Sequence, residues 1–207
     1  VYTHPMTGLP QGDSPGLLNS SYTITADIEV PEGGAEGMIL TSGGRFAGYG
    51  FYLLEGRPVF LWNLLNLKRV KWEGAEALPP GRHTVEFDFK YDGLGAGTLA
   101  YNNMSGLGQS GTGTLKVNGK VVDTKEMKRT LPIILQWDEA FDVGSDTLTG
   151  VNDEDYKPPF PLTAKLHKLT IKVDRPQLSE EEAKELENKQ AIAVDGNPIH
   201  HLQGGPH

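Results

Sequence analysis

The chain has 207 residues, 37% apolar and 22% charged, enough for one packed domain with a tail and too apolar for a disordered polymer. Its net charge of −8 argues against nucleic acid and anionic lipid as partners, and no apolar run approaches the roughly 20 residues that span a bilayer, so no membrane insertion is expected. The absence of cysteine excludes thiol nucleophiles, disulfides and cysteine-bound metal clusters while leaving the compartment open, with a periplasmic or secreted setting slightly favoured.

Val1 opens the chain without a methionine or a basic-then-apolar leader, the expected mark of a segment processed or excised from something longer. Residues 1–21 are rich in Pro, Gly and Ser and read as an irregular lead-in. From Tyr22 the sequence alternates: Tyr22, Ile24, Ala26, Ile28 and Val30 fall on one face of a strand that Pro31, Gly33 and Gly34 terminate. The runs "GMILTSGG", "YGFYLLEG" and "RPVFLWNLL" follow as short strands, the last two joined tightly at Glu55-Gly56. "LKRVKWEG" alternates again, and "LPPGRHTVEFDFKYDG" is a turn followed by a strand with Val85, Phe87 and Phe89 on one side.

Residues 93–113 are Gly-rich and read as a loop. Beyond them Asn118-Gly119, between Leu115, Val117 and Val121, supplies the two positive-φ residues of a type I′ hairpin. "TLPIILQW" reads as a further strand, residues 138–161 as an acidic, Pro-containing loop, and "TAKLHKLTIKV" as the closing strand with Leu166, Leu169, Ile171 and Val173 apolar. After Arg175 the period changes. Ser179 followed by Glu182 is a capping box that opens a short charged helix, and a tail with His200, His201 and His207 ends the chain.

Strands every eight to twelve residues, without strand–helix alternation, predict an all-β, two-sheet antiparallel jelly-roll sandwich with a short C-terminal helix and tail. The expected division is a lead-in at 1–21, the sandwich at 22–175 and the appended helix and tail at 176–207.

Three segments invite a site. "GGRFAGYG" lacks the Lys-Ser/Thr and the following helix of a phosphate loop, so its glycines read as turns and close strand packing. A carbohydrate face is one reading of its neighbourhood: Arg45, Tyr49, Trp62 and Trp72 would line a concave sheet, with rings for sugar faces and a guanidinium for hydroxyls or sulfate. The alternative is that Phe51, Phe60 and Trp62 are core. The acidic loop, with Asp138, Glu139, Asp142, Asp146, Asp153 and Asp155, offers the oxygen ligands calcium takes, Asp142 and Asp146 first among them; solvated loop charge is the alternative. His83 and His167 read as strand-edge residues. No Ser/His/Asp arrangement and no paired acid/base carboxylates stand out, so the chain alone is expected not to be an enzyme.

The segments "YTITADIEVPEGGAEGMIL", "GGRFAGYGFYLLEGRPVFLWNLLNLKR", "LPPGRHTVEFDFKYDG", "GTLKVNGKVV", "DEAFDVGSDT" and "DYKPPFPLTAKLHKLTIKV" together resemble the non-catalytic C-terminal domain of large bacterial arylsulfatases over roughly residues 3–173. The resemblance implies a concanavalin A-like, laminin-G-like sandwich packing beside a sulfatase catalytic domain as its partner. It carries over no activity. The family's formylglycine precursor lies in a C/S-x-P-S/A-R motif, and this chain has neither cysteine nor an S-x-P-S-R or S-x-P-A-R sequence. A free-standing carbohydrate-binding module for plain or sulfated glycans is the alternative expectation.

Overall fold

The computed structural model describes residues 1–93, 108–130, 139–174, 179–185 and 188. The strand expected at 131–138, most of the Gly-rich loop and the histidine-bearing tail lie outside the described residues.

Among the described residues, eleven antiparallel strands make two stacked sheets, the jelly-roll sandwich that the alternation predicts. One sheet holds β1 (Met6–Pro10), β10 (Ala140–Val143), β3 (Gly37–Gly43), β4 (Ala47–Leu54), β5 (Arg57–Leu64) and β6 (Lys68–Glu73), in that spatial order. The other holds β11 (Lys165–Asp174), β2 (Ser21–Val30), β7 (Gly81–Tyr91), β8 (Gly111–Val117) and β9 (Lys120–Met127). The turns are as read: Glu55-Gly56 and Asn118-Gly119 both take positive φ. Ser179 and Glu182 exchange the reciprocal bonds of a capping box, with the Ser179 N–H donating to Glu182 Oε2 at 2.8 Å and helical residues 180–185 following.

The core lies between the sheets. Tyr22, Ile24, Ala26 and Ile28 of β2 and Val85, Phe87 and Phe89 of β7 point into it and are buried. Phe87 stacks on Phe60 from the facing sheet, with centroids 3.6 Å apart and planes 8° apart, and Trp72 meets the same ring edge-on at 4.9 Å. Gly113 is required here: a Cβ would stand 2.6 Å from atoms of both Phe87 and Trp72.

Two elements differ from expectation. Met6–Pro10, inside the lead-in, is an edge strand, and Ala140–Val143, inside the acidic loop, is the strand that joins it to β3. Neither alternates. Gly8 in β1 takes positive φ, and β10 has only four residues. Their extended state comes from backbone pairing with distant partners rather than from side-chain pattern. In β11 the register slips between Leu166 and Lys168, which accounts for the offset from Leu166 to Leu169.

Both open sides of the sandwich are closed by the chain itself. Tyr2 exchanges two 2.8 Å backbone bonds with Leu169 on the outer edge of β11. On the opposite side, β9 side chains cap the edge of β6: Asp123 accepts from the Glu73 N–H at 3.0 Å, and Lys125 Nζ donates to the Lys71 carbonyl at 2.7 Å. The outer face of the six-stranded sheet is covered as well. Residues 144–162 cross it and bury Met38, Tyr52, Val59 and Leu61 under Val151 and Tyr156, a second, smaller core. Strands β4 and β5 are therefore apolar on both faces.

Candidate functional site: a rim of three loops

Strand direction brings the β3–β4 tip (44–46) and the β5–β6 tip (65–67) to the same end of the six-stranded sheet. Asn63, fully buried, locks them together. Its Nδ2 donates to the carbonyls of Gly44 at 3.0 Å and Arg45 at 2.6 Å, and its Oδ1 accepts from the Asn66 N–H at 3.0 Å. Leu65 and Asn66 both sit at positive φ, 57° and 56°, a conformation that a leucine adopts at a cost.

The segment after β10 supplies the third side of the rim. Thr149 Oγ1 accepts from the Arg45 N–H at 3.0 Å, and the Arg45 guanidinium donates to Asp153 at 2.7 Å. Arg69 reaches across to the Val151 carbonyl and to Asn66. Gly44 has no room for a side chain, since a Cβ would meet Thr149 and come within 2.6 Å of Glu139.

Buried carboxylates pin this segment from beneath. Glu139 accepts from the Thr149 hydroxyl and N–H. Asp142 accepts from the Gly8 N–H at 2.6 Å and from the N–H and hydroxyl of Thr147. Asp146 accepts from the Tyr156 hydroxyl, and the Leu148 backbone also donates to it. Burial pushes the Asp146 carboxyl up to about 6; the Tyr156 bond opposes that rise, and the nearby Asp142 and Glu139 add to it. Asp155 pairs with Lys71 Nζ at 3.0 Å and accepts from Tyr52.

These contacts redistribute the roles expected from sequence. Asp142 and Asp146 are buried rather than solvated loop charge, and protein donors reach both carboxylates. Among the described residues no group of three or more His, Asp or Glu is placed to hold a metal. The proposed concave face also requires correction. Tyr49, Trp62 and Trp72 are 5%, 3% and 0% exposed because they point from β4, β5 and β6 toward the other sheet. Trp62 Nε1 donates to the Tyr22 hydroxyl at 2.9 Å, deep in the core. Of that set only Arg45, half exposed, reaches the surface.

The residue that sequence reasoning passed over is Phe46. It is 61% exposed at the β3–β4 tip and is the only exposed aromatic among the described residues. The available signal was its place in a turn, directly after Arg45 and outside any alternation. Leu65, Leu67 and Leu148 are exposed on the same three loops, so four of the seven large exposed apolar side chains described gather at one end. The outer face of the five-stranded sheet is a lattice of polar pairs, including Thr23–Asp88, Thr25–Glu86, Lys116–Glu86 and Arg82–Asp27.

At the opposite end lies an open groove of about 600 Å³ between the β6–β7 connection and the start of β9. His83 stands in its wall, with Nε2 donating to the Pro79 carbonyl at 2.8 Å and Nδ1 accepting from Asn118 at 3.0 Å.

No family model matches the sequence, and no curated protein sequence does. Solved structures do share the architecture. Domains LG4-5 of the mouse laminin alpha1 chain superpose with a TM-score of 0.55 at 15% identity, over 86% of this chain and 43% of theirs. The CBM40 of the Ruminococcus gnavus IT-sialidase, bound to alpha2,6 sialyllactose, gives 0.49 at 15% identity over 90% and 95%. This chain thus spans less than half of the laminin fragment. At such identity the laminin likeness defines the fold alone, a concanavalin A/laminin-G-like β-sandwich. These likenesses do not tie the chain to the arylsulfatases.

Proposed function

We propose that the chain is a non-catalytic binding module and that its rim takes a glycan. The observation that carries this reading is Phe46, an isolated exposed ring beside the Arg45–Asp153 pair. A ring offers a flat apolar face to the C–H side of a sugar, while the guanidinium and carboxylate offer donors and acceptors to its hydroxyls. Asn63 and the buried carboxylates hold these groups in place before a ligand arrives, which lowers the entropy lost on binding. The test is a glycan array followed by titration of any hit. Phe46→Ala should weaken binding at least tenfold with an unchanged melting midpoint, and an array that stays blank overturns the reading.

A second reading is an auxiliary domain of a larger arylsulfatase-like sulfuric ester hydrolase. Its support is that two segments carrying the sequence resemblance, "GGRFAGYG" and "DEAFDVGSDT", meet at this rim through the Arg45–Thr149 and Thr149–Glu139 bonds. Under either reading the purified chain turns over no aryl sulfate, because the formylglycine precursor is missing. Saturable binding to a separately produced sulfatase catalytic domain, with no glycan hit, would favour the second.

A further inference from the structure

Asn118 and Gly119 form the one Asn-Gly pair in the sequence, and they stand at the exposed tip of the β8–β9 hairpin, at φ of 49° and 79°. Gly119 has no side chain to shield its backbone nitrogen, and a Cβ built on it would meet nothing within 4 Å, so the turn is open to water.

Two groups of β7 hold the Asn118 carboxamide. Its Oδ1 accepts from the Thr84 N–H at 2.9 Å, and its Nδ2 donates to His83 Nδ1 at 3.0 Å. The first bond draws electron density away from Cγ and lies where negative charge collects when Cγ is attacked. The second faces the nitrogen that departs in such an attack. His83 is 8% exposed, and its Nε2 donates to the Pro79 carbonyl. Its Nδ1 is therefore the acceptor, and the ring in this arrangement is neutral.

We propose that Asn118 is a site of self-modification, at which the Gly119 nitrogen displaces the carboxamide and water then leaves a carboxyl group facing His83. The Gly119 nitrogen gives its proton to solvent and bonds to Cγ. The Cγ–Nδ2 bond breaks, and Nδ2 takes a proton from solvent and leaves as ammonia. Water opens the resulting five-membered imide at Cγ to give aspartate, or at the main-chain carbonyl to give isoaspartate.

The aspartate changes the link across the groove. A carboxylate accepts from the Thr84 N–H as the amide did, but it has no hydrogen to give Nδ1, so His83 bonds it only by taking up a proton. A neutral contact becomes an ion pair. Ile28 pairs with His83 from β2, the β6–β7 connection contributes Glu76, the hairpin contributes Lys120, and the neighbouring Arg82 is paired with Asp27. These surroundings are common to both forms and cancel in a comparison of the two.

Peptide mass spectrometry tests this on the full chain, kept folded for weeks at physiological temperature and mildly alkaline pH. The peptide carrying Asn118 should gain the single mass unit that separates a carboxyl from a carboxamide, and should take up label from heavy-oxygen water. Asn118→Gln, which would have to close a larger ring, should keep its mass. Asn118→Asp reproduces the product. It should melt below the parent at pH 8 and lose that deficit by about pH 5, because the ion pair is present at acid pH and is lost as His83 gives up its proton. With His83→Gln in both chains, the difference between them should no longer change with pH. An Asn118 peptide of unchanged mass, modification confined to denatured chain, or an Asn118→Asp deficit equal at both pH values overturns the proposal.

Discussion

At the rim end, Asn63, Glu139, Asp142 and Asp146 tie three loops into one body through buried hydrogen bonds. At the groove end, His83 links the β6–β7 connection to Asn118 of the β8–β9 turn, which also bonds the Thr84 backbone, beside an open depression. The difference teaches how a sandwich fixes its loops. The segment after β10 packs Val151 and Tyr156 on an apolar core, whereas the β3–β4 and β5–β6 tips are tied by buried polar groups, Asn63 first among them. The groove end keeps its shape from the strands themselves and leaves apolar surface uncovered.

The largest expected effect lies at the rim. Asn63→Ala removes one acceptor and two donor contacts in a buried place and should cost about 3 kcal/mol, read from denaturant unfolding. Glycan affinity should fall with it. An effect below about 1 kcal/mol would show that the rim is not held by its polar network.

Asp146 should behave in the opposite sense. Its folded-state carboxyl stands at about 6, above the ordinary 3.8, so its protonated form is the one the fold favours. The stability it contributes is fully present below about pH 4 and is lost as pH rises through about 6. Two units correspond to roughly 2–3 kcal/mol. Asp146→Asn keeps an acceptor for Tyr156 without the charge, so it should melt higher than the parent at pH 8 and equal to it at pH 4. An equal or lower midpoint at pH 8 would mean that the carboxylate is needed in its charged form.

The groove end should respond less. His83→Ala loses the bonds to Pro79 and Asn118 and should cost roughly 1–2 kcal/mol while leaving glycan binding intact. Loss of glycan binding in this variant would show that the two ends are coupled. The smallest effect concerns calcium. Melting midpoints in calcium, magnesium and chelator should coincide, because protein donors occupy the Asp142 and Asp146 carboxylates. A rise specific to calcium, about 2.7 kcal/mol at a hundredfold excess over its dissociation constant, would restore the ion to the rim.

Much of the sandwich was legible because its signals are local. The alternation of Tyr22 to Val30 and of Val85 to Phe89, and the turns at Glu55-Gly56 and Asn118-Gly119, each lie within one element. Met6–Pro10 and Ala140–Val143 were not legible, since each is a strand only by virtue of a partner far along the chain. The candidate site was misread for a related reason. Strands β4 and β5 are apolar on both faces, one toward the other sheet and one under residues 144–162, so alternation does not say which aromatic reaches solvent. Tyr49 and Trp62 went inward, and the exposed ring was in the turn between strands.

The pairing of first strands with last has a consequence for biosynthesis. β2 pairs on one side with β7, which follows within some 60 residues, but on the other with β11, and β3 needs β10 in the same way. On a ribosome adding 5–20 residues per second, one edge of each early strand waits on the order of 10 s for its neighbour. Through that interval Ser21–Val30 and Gly37–Gly43 are half-finished sheets with open margins. A nascent chain of this topology is most exposed to mispairing, and most in need of a chaperone, just before residues 140–174 emerge.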